Sequence, residues 1–116
     1  SLLVRAAWHN IVQPFMVEEI LHRLENLEIP GVTLSEVRGW GRSRAEGARE
    51  TVQEAGHAFA LKTKIEIVVP DAMVAPIVDA IASAARTGRP GDGKIFVLGV
   101  ERVLRIRTGE ENEDGL

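Results

Sequence analysis

The residues best suited to chemistry lie in one polar stretch at positions 86–94, which reads Arg-Thr-Gly-Arg-Pro-Gly-Asp-Gly-Lys. Its three glycines let the backbone turn tightly and bring N–H groups close to a ligand. Two arginines and a lysine surround those groups with positive charge, so the stretch predicts a phosphate site. The alternative is a plain connection between a helix and a strand, because a single glycine motif has low specificity.

The segments that must position this stretch show two different hydrophobic periods. Before it, apolar residues follow helical spacing at positions 74, 77, 78, 81, 84 and 85. After it, residues 95–98 read Ile-Phe-Val-Leu, which favours a strand. The stretch is therefore predicted to join a helix to a strand. Asp71 is expected to cap that helix, and Pro76 to kink it or delay its start.

The rest of the chain supplies the other elements of the predicted fold. We expect strands at residues 2–12, 32–40, 59–69 and 103–107, and a helix whose apolar positions are 17, 20, 21, 24 and 27. The resulting order predicts an α+β, ferredoxin-like βαββαβ sandwich, with an antiparallel sheet and two helices on one face. The opposite face carries apolar residues, which predicts a closed, symmetric homo-oligomer.

Residues 42–57 form a long polar excursion between two predicted strands. Loops of this length in compact domains are usually functional or disordered. Ser43 and Glu46 have the spacing of a capping box, which predicts a short helix through Glu54.

Composition limits the class of protein. The 116 residues fit one domain over 1–116, and 45% hydrophobic with 27% charged residues suits a folded core. A net charge of -3 argues against nucleic acid, and no apolar run is long enough for membrane insertion. The absence of cysteine favours a cytoplasmic location. The three histidines lack metal-ligand spacing, so no metal site is expected.

A set of short sequence blocks, spread over nearly the whole chain, carries a family resemblance. The blocks are Pro14-Phe15 and residues 31–33, 35–42, 62–71, 85–88, 91–97 and 105–110, which include Gly-Trp-Gly-Arg, Gly-Asp-Gly-Lys and Arg-Ile-Arg-Thr-Gly-Glu. In this order they resemble the PII signal-transduction proteins, and several blocks together are more specific than any single glycine motif.

The resemblance implies a homotrimer that binds ATP or ADP as an effector, with or without magnesium, in clefts between subunits. Residues 86–94 resemble the family's B-loop, residues 42–57 its T-loop and residues 105–116 its C-terminal loop. By position, the nucleotide-binding residues would be Ile11, Thr33, Gly39, Trp40, Gly41, Arg42, Lys62, Thr87, Gly91, Asp92, Gly93, Lys94, Arg105 and Arg107. Lys62 matches the lysine that reaches the γ-phosphate or 2-oxoglutarate, and the two last arginines would reach in from a neighbouring subunit.

The T-loop departs from the family pattern. Ser43 stands where the family commonly has a glutamine that helps to hold magnesium and 2-oxoglutarate, which argues against 2-oxoglutarate sensing of that kind. Ala55 stands at the position of the tyrosine that some relatives modify, and the chain has no tyrosine, so this modification is excluded. These departures imply a divergent T-loop with a different client.

The resemblance implies a non-enzymatic regulator of nitrogen or carbon metabolism. Its client would be a transporter or a metabolic enzyme, contacted through the T-loop. Two other functions stay open at this point. One is a trimeric ferredoxin-like ion-tolerance protein; the other is a slow ATPase, since Glu66 and Asp92 lie near the expected phosphates.

Overall fold

The computed structural model describes residues 2–7, 14–40, 51–54, 57–86 and 93–116. The strands are β1 (Leu2–Ala7), β2 (Thr33–Gly39), β3 (Thr51–Glu54), β4 (His57–Val69) and β5 (Lys94–Gly99), and the helices are α1 (Pro14–Glu25) and α2 (Val74–Ala85). Short 3-10 turns lie at Asp71–Met73 and Asn112–Gly115.

The strands form one antiparallel sheet in the order β2-β4-β1-β5, and β3 pairs with the first residues of β4. Strand β4 lies between β1 and β2, which makes β1, α1 and β2 a split βαβ unit. The predicted ferredoxin-like architecture is therefore confirmed.

Both helices pack on the same face of the sheet. Among the side chains that the structure describes, the buried core residues come from α1, α2 and alternate positions of β4: Ile20, Leu24, Ile77, Ile81, Ala85, Ile65, Ile67 and Val69. Helical and two-residue periods bring these side chains to one layer, because residues at i and i+4 share a helix face and residues at i and i+2 share a strand face. Each buried isoleucine or leucine contributes about 1.5–3 kcal/mol.

The opposite face of the sheet carries a polar row along β4 and apolar residues on β5. Lys62, Lys64 and Glu66 alternate with the core residues of β4, whereas Phe96 and Leu98 remain 53% and 45% exposed. The prediction of apolar residues on the uncovered face is confirmed for β5.

The start of α2 follows one prediction and contradicts another. The 3-10 turn at Asp71–Met73 precedes the helix, and the helix begins at Val74, so the predicted delay is confirmed. Pro76 lies in the first turn, where a missing N–H costs little. The prediction that Asp71 caps this helix is wrong, because Met73 is the residue before its first turn.

Two predicted elements are replaced by other structures. Residues 51–54, expected as the end of a short helix, form β3, because they pair with residues 57–60 and lengthen the sheet. The predicted strand at 103–107 is also wrong: a single bridge joins Leu104 to Glu111, and the chain turns back between them, with Gly109 at φ 75°. The predicted strand at 2–12 is present as β1 up to Ala7, and positions 8–13 lie outside the described residues.

Candidate functional site

The side chain of Lys62 lies directly over Gly39 in the candidate site. Gly39 ends β2 opposite Ala60 of β4, and Lys62 lies two residues further along β4. A Cβ at position 39 would lie 2.4 Å from Cε and 2.5 Å from Nζ of Lys62. The lysine side chain therefore lies across the glycine, which provides space that no other residue type would leave.

Lys94 adds a second positive charge near Lys62. Lys94 is the first residue of β5 and pairs with Ala7 of β1, which pairs on its other side with Lys64. Burial, and to a lesser extent the charge of Lys94, hold the pKa of Lys62 below its ordinary value of 10.5. Lys62 and Lys94, which lie far apart in the sequence, are therefore close enough in the fold for their charges to interact.

The neighbouring lysine has a different environment. Lys64 Nζ lies 3.0 Å from Glu66 Oε1, and both side chains are about 30% exposed. Within the described parts of the chain, no carboxylate forms an ion pair with Lys62 or Lys94. These two amines therefore form a local positive site that a polyanion would complete.

Gly93 leads the chain into this site. Its φ of 98° belongs to the left-handed region that side chains rarely adopt, so a glycine is required immediately before Lys94. The sequence expectation of a turn that depends on glycine is confirmed at this residue. Thr87, Gly91 and Asp92 of the same stretch lie outside the described residues.

Thr33 is the first residue of β2, and Trp40 directly follows its last residue. Thr33 is exposed and pairs with Glu66, four residues along β4 from Lys62. Trp40 follows Gly39 directly and is 59% exposed. Ile11, Gly41 and Arg42, which were assigned to the same site, lie outside the described residues.

Arg105 and Arg107 lie in the loop that follows β5. The Arg105 guanidinium donates from Nε to Gly115 O at 3.2 Å and from Nη2 to Leu116 O at 2.7 Å. Arg107 is exposed in the adjoining turn. Among the contacts of the described residues, none joins either arginine to Lys62 or Lys94 within one chain.

A cavity of about 260 Å³ adjoins Lys94 on the side of α2. Its lining consists of Ile81, Ala82, Ala85, Arg86, Gly93, Lys94 and Ile95. The sequence identified Arg86 and Lys94 as part of the phosphate stretch but not the apolar wall. Hydrophobic periodicity assigns such residues to a core and cannot separate a cavity wall from packed interior.

A second groove, along α1, has the opposite character. It is lined by Glu18, Glu19, Leu21, His22 and Glu25, and three carboxylates would repel a phosphate.

The described residues contain no group of three His, Cys, Asp or Glu side chains that could hold a metal ion. Among the described helices, none has the length and apolar character to span a bilayer.

Comparison with known proteins decides the family. The family model described as "Nitrogen regulatory protein P-II" matches residues 9–110 of the chain. This chain belongs to the nitrogen regulatory protein P-II family. The resemblance drawn from the sequence blocks is thereby confirmed.

Individual P-II relatives match over almost their entire length. The "Nitrogen regulatory protein P-II" of Nostoc punctiforme is 48% identical over 106 residues, covering 91% of this chain and 95% of the relative. The protein of the same name from Haemophilus influenzae is 44% identical over the same shares. "Nitrogen regulatory protein P-II 1" of Escherichia coli is 46% identical over 103 residues, covering 89% of this chain and 92% of the relative.

Proposed function

We propose that this chain is a P-II-type signal-transduction regulator that binds ATP or ADP and controls a client protein through residues 42–57. The observation that carries the proposal is the coupling of Lys62 and Lys94 beside the Gly93 turn, without carboxylate partners among the described residues. A triphosphate supplies the negative charge and the acceptor oxygens that such a site lacks.

Each group in the proposed site has a distinct task. Backbone N–H groups of residues 91–94 and the Lys94 amine would hold the β-phosphate region, and Lys62 would reach the γ-phosphate. The space over Gly39 lets the Lys62 side chain lie across the end of β2. A hydrogen bond between a charged donor and a phosphate contributes about 1.5–3 kcal/mol. Because a bound phosphate would favour the charged amine, it would also raise the lowered pKa of Lys62.

A homotrimer is part of the proposal, because one chain supplies only part of the site. Phe96 and Leu98 expose apolar surface on the sheet face that the helices leave uncovered. Association through such a face would remove this surface from water. It would also allow Arg105 and Arg107 of one subunit to approach the phosphates held by another. Nucleotide binding would then stabilise the assembly by mass action.

The loop 42–57 is the proposed output, and strand β4 links it to the ligand. Strand β4 runs without interruption from His57 to Val69 and carries Lys62 near its middle. Its first residues pair with β3, so the last part of the loop forms a hairpin with the strand that carries Lys62. Differential affinity of ATP and ADP for two loop arrangements would suffice to switch the client.

The proposed regulator is not an enzyme, and its location is cytoplasmic. The alternative of a slow ATPase needs a carboxylate to orient water. Of its two candidates, Glu66 forms an ion pair with Lys64 at 3.0 Å, and Asp92 lies outside the described residues. The alternative of an ion-tolerance protein needs metal ligands, which are not grouped among the described residues. Ser43 in place of the family's glutamine further argues against 2-oxoglutarate as a co-effector.

Isothermal titration calorimetry tests the proposal with ATP, ADP and AMP, each with and without magnesium and 2-oxoglutarate. We expect micromolar binding of ATP and ADP without phosphate release. Lys62→Ala should weaken ATP binding more than Lys64→Ala, the matched control on the same strand whose amine already has a carboxylate partner. Absence of ATP and ADP binding would overturn the proposal, and steady phosphate release would favour the ATPase.

A further inference from the structure

The loop that carries Arg105 is held by its own backbone. Leu104 forms a bridge with Glu111, the N–H of Arg105 donates to Glu110 O at 2.9 Å, and the N–H of Gly109 donates to Arg105 O at 2.8 Å. Both backbone polar groups of Arg105 are therefore occupied. The Cα of this residue has a defined position, although no regular strand includes it.

The last described segment folds back onto the same loop. The 3-10 turn Asn112–Gly115 brings Gly115 against the backbone, where a Cβ would lie 2.8 Å from Glu110 O and 3.5 Å from Arg105 N. Gly115 is buried, so this contact is part of the packed loop. Because the obstructing atom belongs to the backbone, any larger residue at this position must displace the segment.

This contact places two main-chain oxygens on one edge of the Arg105 guanidinium. Nε donates to Gly115 O and Nη2 donates to Leu116 O, which uses the edge formed by these two nitrogens. The Nη1 hydrogens and the second Nη2 hydrogen point away from that edge and can bind another acceptor. These two main-chain oxygens orient the Arg105 guanidinium, whereas Arg102 pairs with the carboxylate of Glu111.

We propose that residues 112–116 position Arg105. They bind the Nε edge of its guanidinium, so that the remaining donors are directed at the nucleotide phosphates bound by a neighbouring subunit. The inference rests on the proposed function, since the occupant of the remaining donors is the polyphosphate of ATP or ADP. A guanidinium that is already ordered loses less rotational freedom on binding, and the affinity for phosphate rises accordingly.

A double-mutant cycle with Gly115→Ala and Arg105→Ala in the full chain tests the inference, with ATP affinity measured by calorimetry. Gly115→Ala should weaken ATP binding by about three- to tenfold, since one long side chain loses its order. In the Arg105→Ala background, the same change should have no effect on affinity, because there is no guanidinium left to position. Gly31→Ala is the matched control, since its Cβ would meet nothing within 4 Å.

A second variant applies if Gly115→Ala does not fold, as judged by thermal unfolding without nucleotide. Arg105→Lys keeps the charge but has only one side-chain nitrogen, so it cannot bind both main-chain oxygens and the phosphate. It should lose most of the affinity that Arg105→Ala loses. Affinity retained in Arg105→Lys would overturn the positioning role.

Other outcomes separate this inference from the function on which it rests. If the unsubstituted chain binds no ATP, the proposed function fails and the inference fails with it. If it binds ATP but Arg105→Ala binds equally well, only the inference fails. Equal losses from Gly115→Ala in both backgrounds would show a merely structural role. Tighter binding by Gly115→Ala would overturn the inference, because it would show that the main-chain oxygens of residues 115 and 116 compete with phosphate for Arg105.

Discussion

Substitution of Gly39 by alanine tests whether the approach of Lys62 serves nucleotide binding. The new Cβ would lie 2.4 Å from Lys62 Cε, far inside van der Waals contact, so the lysine side chain must move. The displaced atoms are the end of a flexible side chain, so we expect the unfolding temperature to change little. What should be lost is the hydrogen bond from the Lys62 amine to the γ-phosphate.

The expected loss follows from that one interaction. A charged hydrogen bond contributes about 1.5–3 kcal/mol, which corresponds to a decrease of about 10- to 150-fold in ATP affinity. ADP lacks the γ-phosphate, so its affinity should change much less. Calorimetry with ATP and ADP, together with thermal unfolding, measures all three quantities.

Two comparisons decide whether the reasoning holds. In the Lys62→Ala background, Gly39→Ala should have no further effect on ATP affinity, because there is no amine to displace. Gly99→Ala at the end of β5 is a control, since its Cβ would meet nothing within 4 Å. Unchanged ATP affinity in Gly39→Ala, or equal losses for ATP and ADP, would refute a γ-phosphate contact by Lys62.

Four further predictions concern the same assembly. Arg105→Ala should weaken ATP binding by about 1.5–3 kcal/mol, and an unchanged dissociation constant would contradict its phosphate contact. Adding 2-oxoglutarate should alter ATP affinity little, because Ser43 lacks an amide oxygen; strong synergy would show this argument to be wrong. Because burial and Lys94 lower the pKa of Lys62, its charged form opposes folding at neutral pH, and this penalty fades as pH rises towards 10.5. Lys62→Met should therefore raise the unfolding temperature at neutral pH but not near pH 10.5, whereas Lys64→Met, which breaks the pair with Glu66, should not raise it. Phe96→Asp should convert trimers to monomers in analytical ultracentrifugation, since it places a charge on an exposed apolar face; an intact trimer would show that this residue lies outside the interface.

Local patterns in the sequence were sufficient to predict the architecture of the sheet and the two helices. Alternation along β4, helical spacing in α1 and α2, and the order of these elements predicted the ferredoxin-like sheet, because periods of two and 3.6 residues are properties of short segments. The delayed start of α2 followed from Pro76, whose ring restricts its own backbone. The glycine before Lys94 was likewise a local requirement, seen in the φ of 98° at Gly93.

Contacts between distant segments could not be predicted in this way. Residues 51–54 form a strand rather than a helix because β4 offers them pairing partners, and tertiary pairing outweighs local capping. Residues 103–107 alternate like a strand, yet Gly109 turns the chain back so that Leu104 meets Glu111. Sequence alone thus determined the family, the fold and the presence of a basic, glycine-rich stretch. Only the tertiary structure places Lys62 over Gly39 and near the charge of Lys94, and only it binds Arg105 to the main-chain oxygens of residues 115 and 116. Each of these contacts joins segments that are brought together by packing.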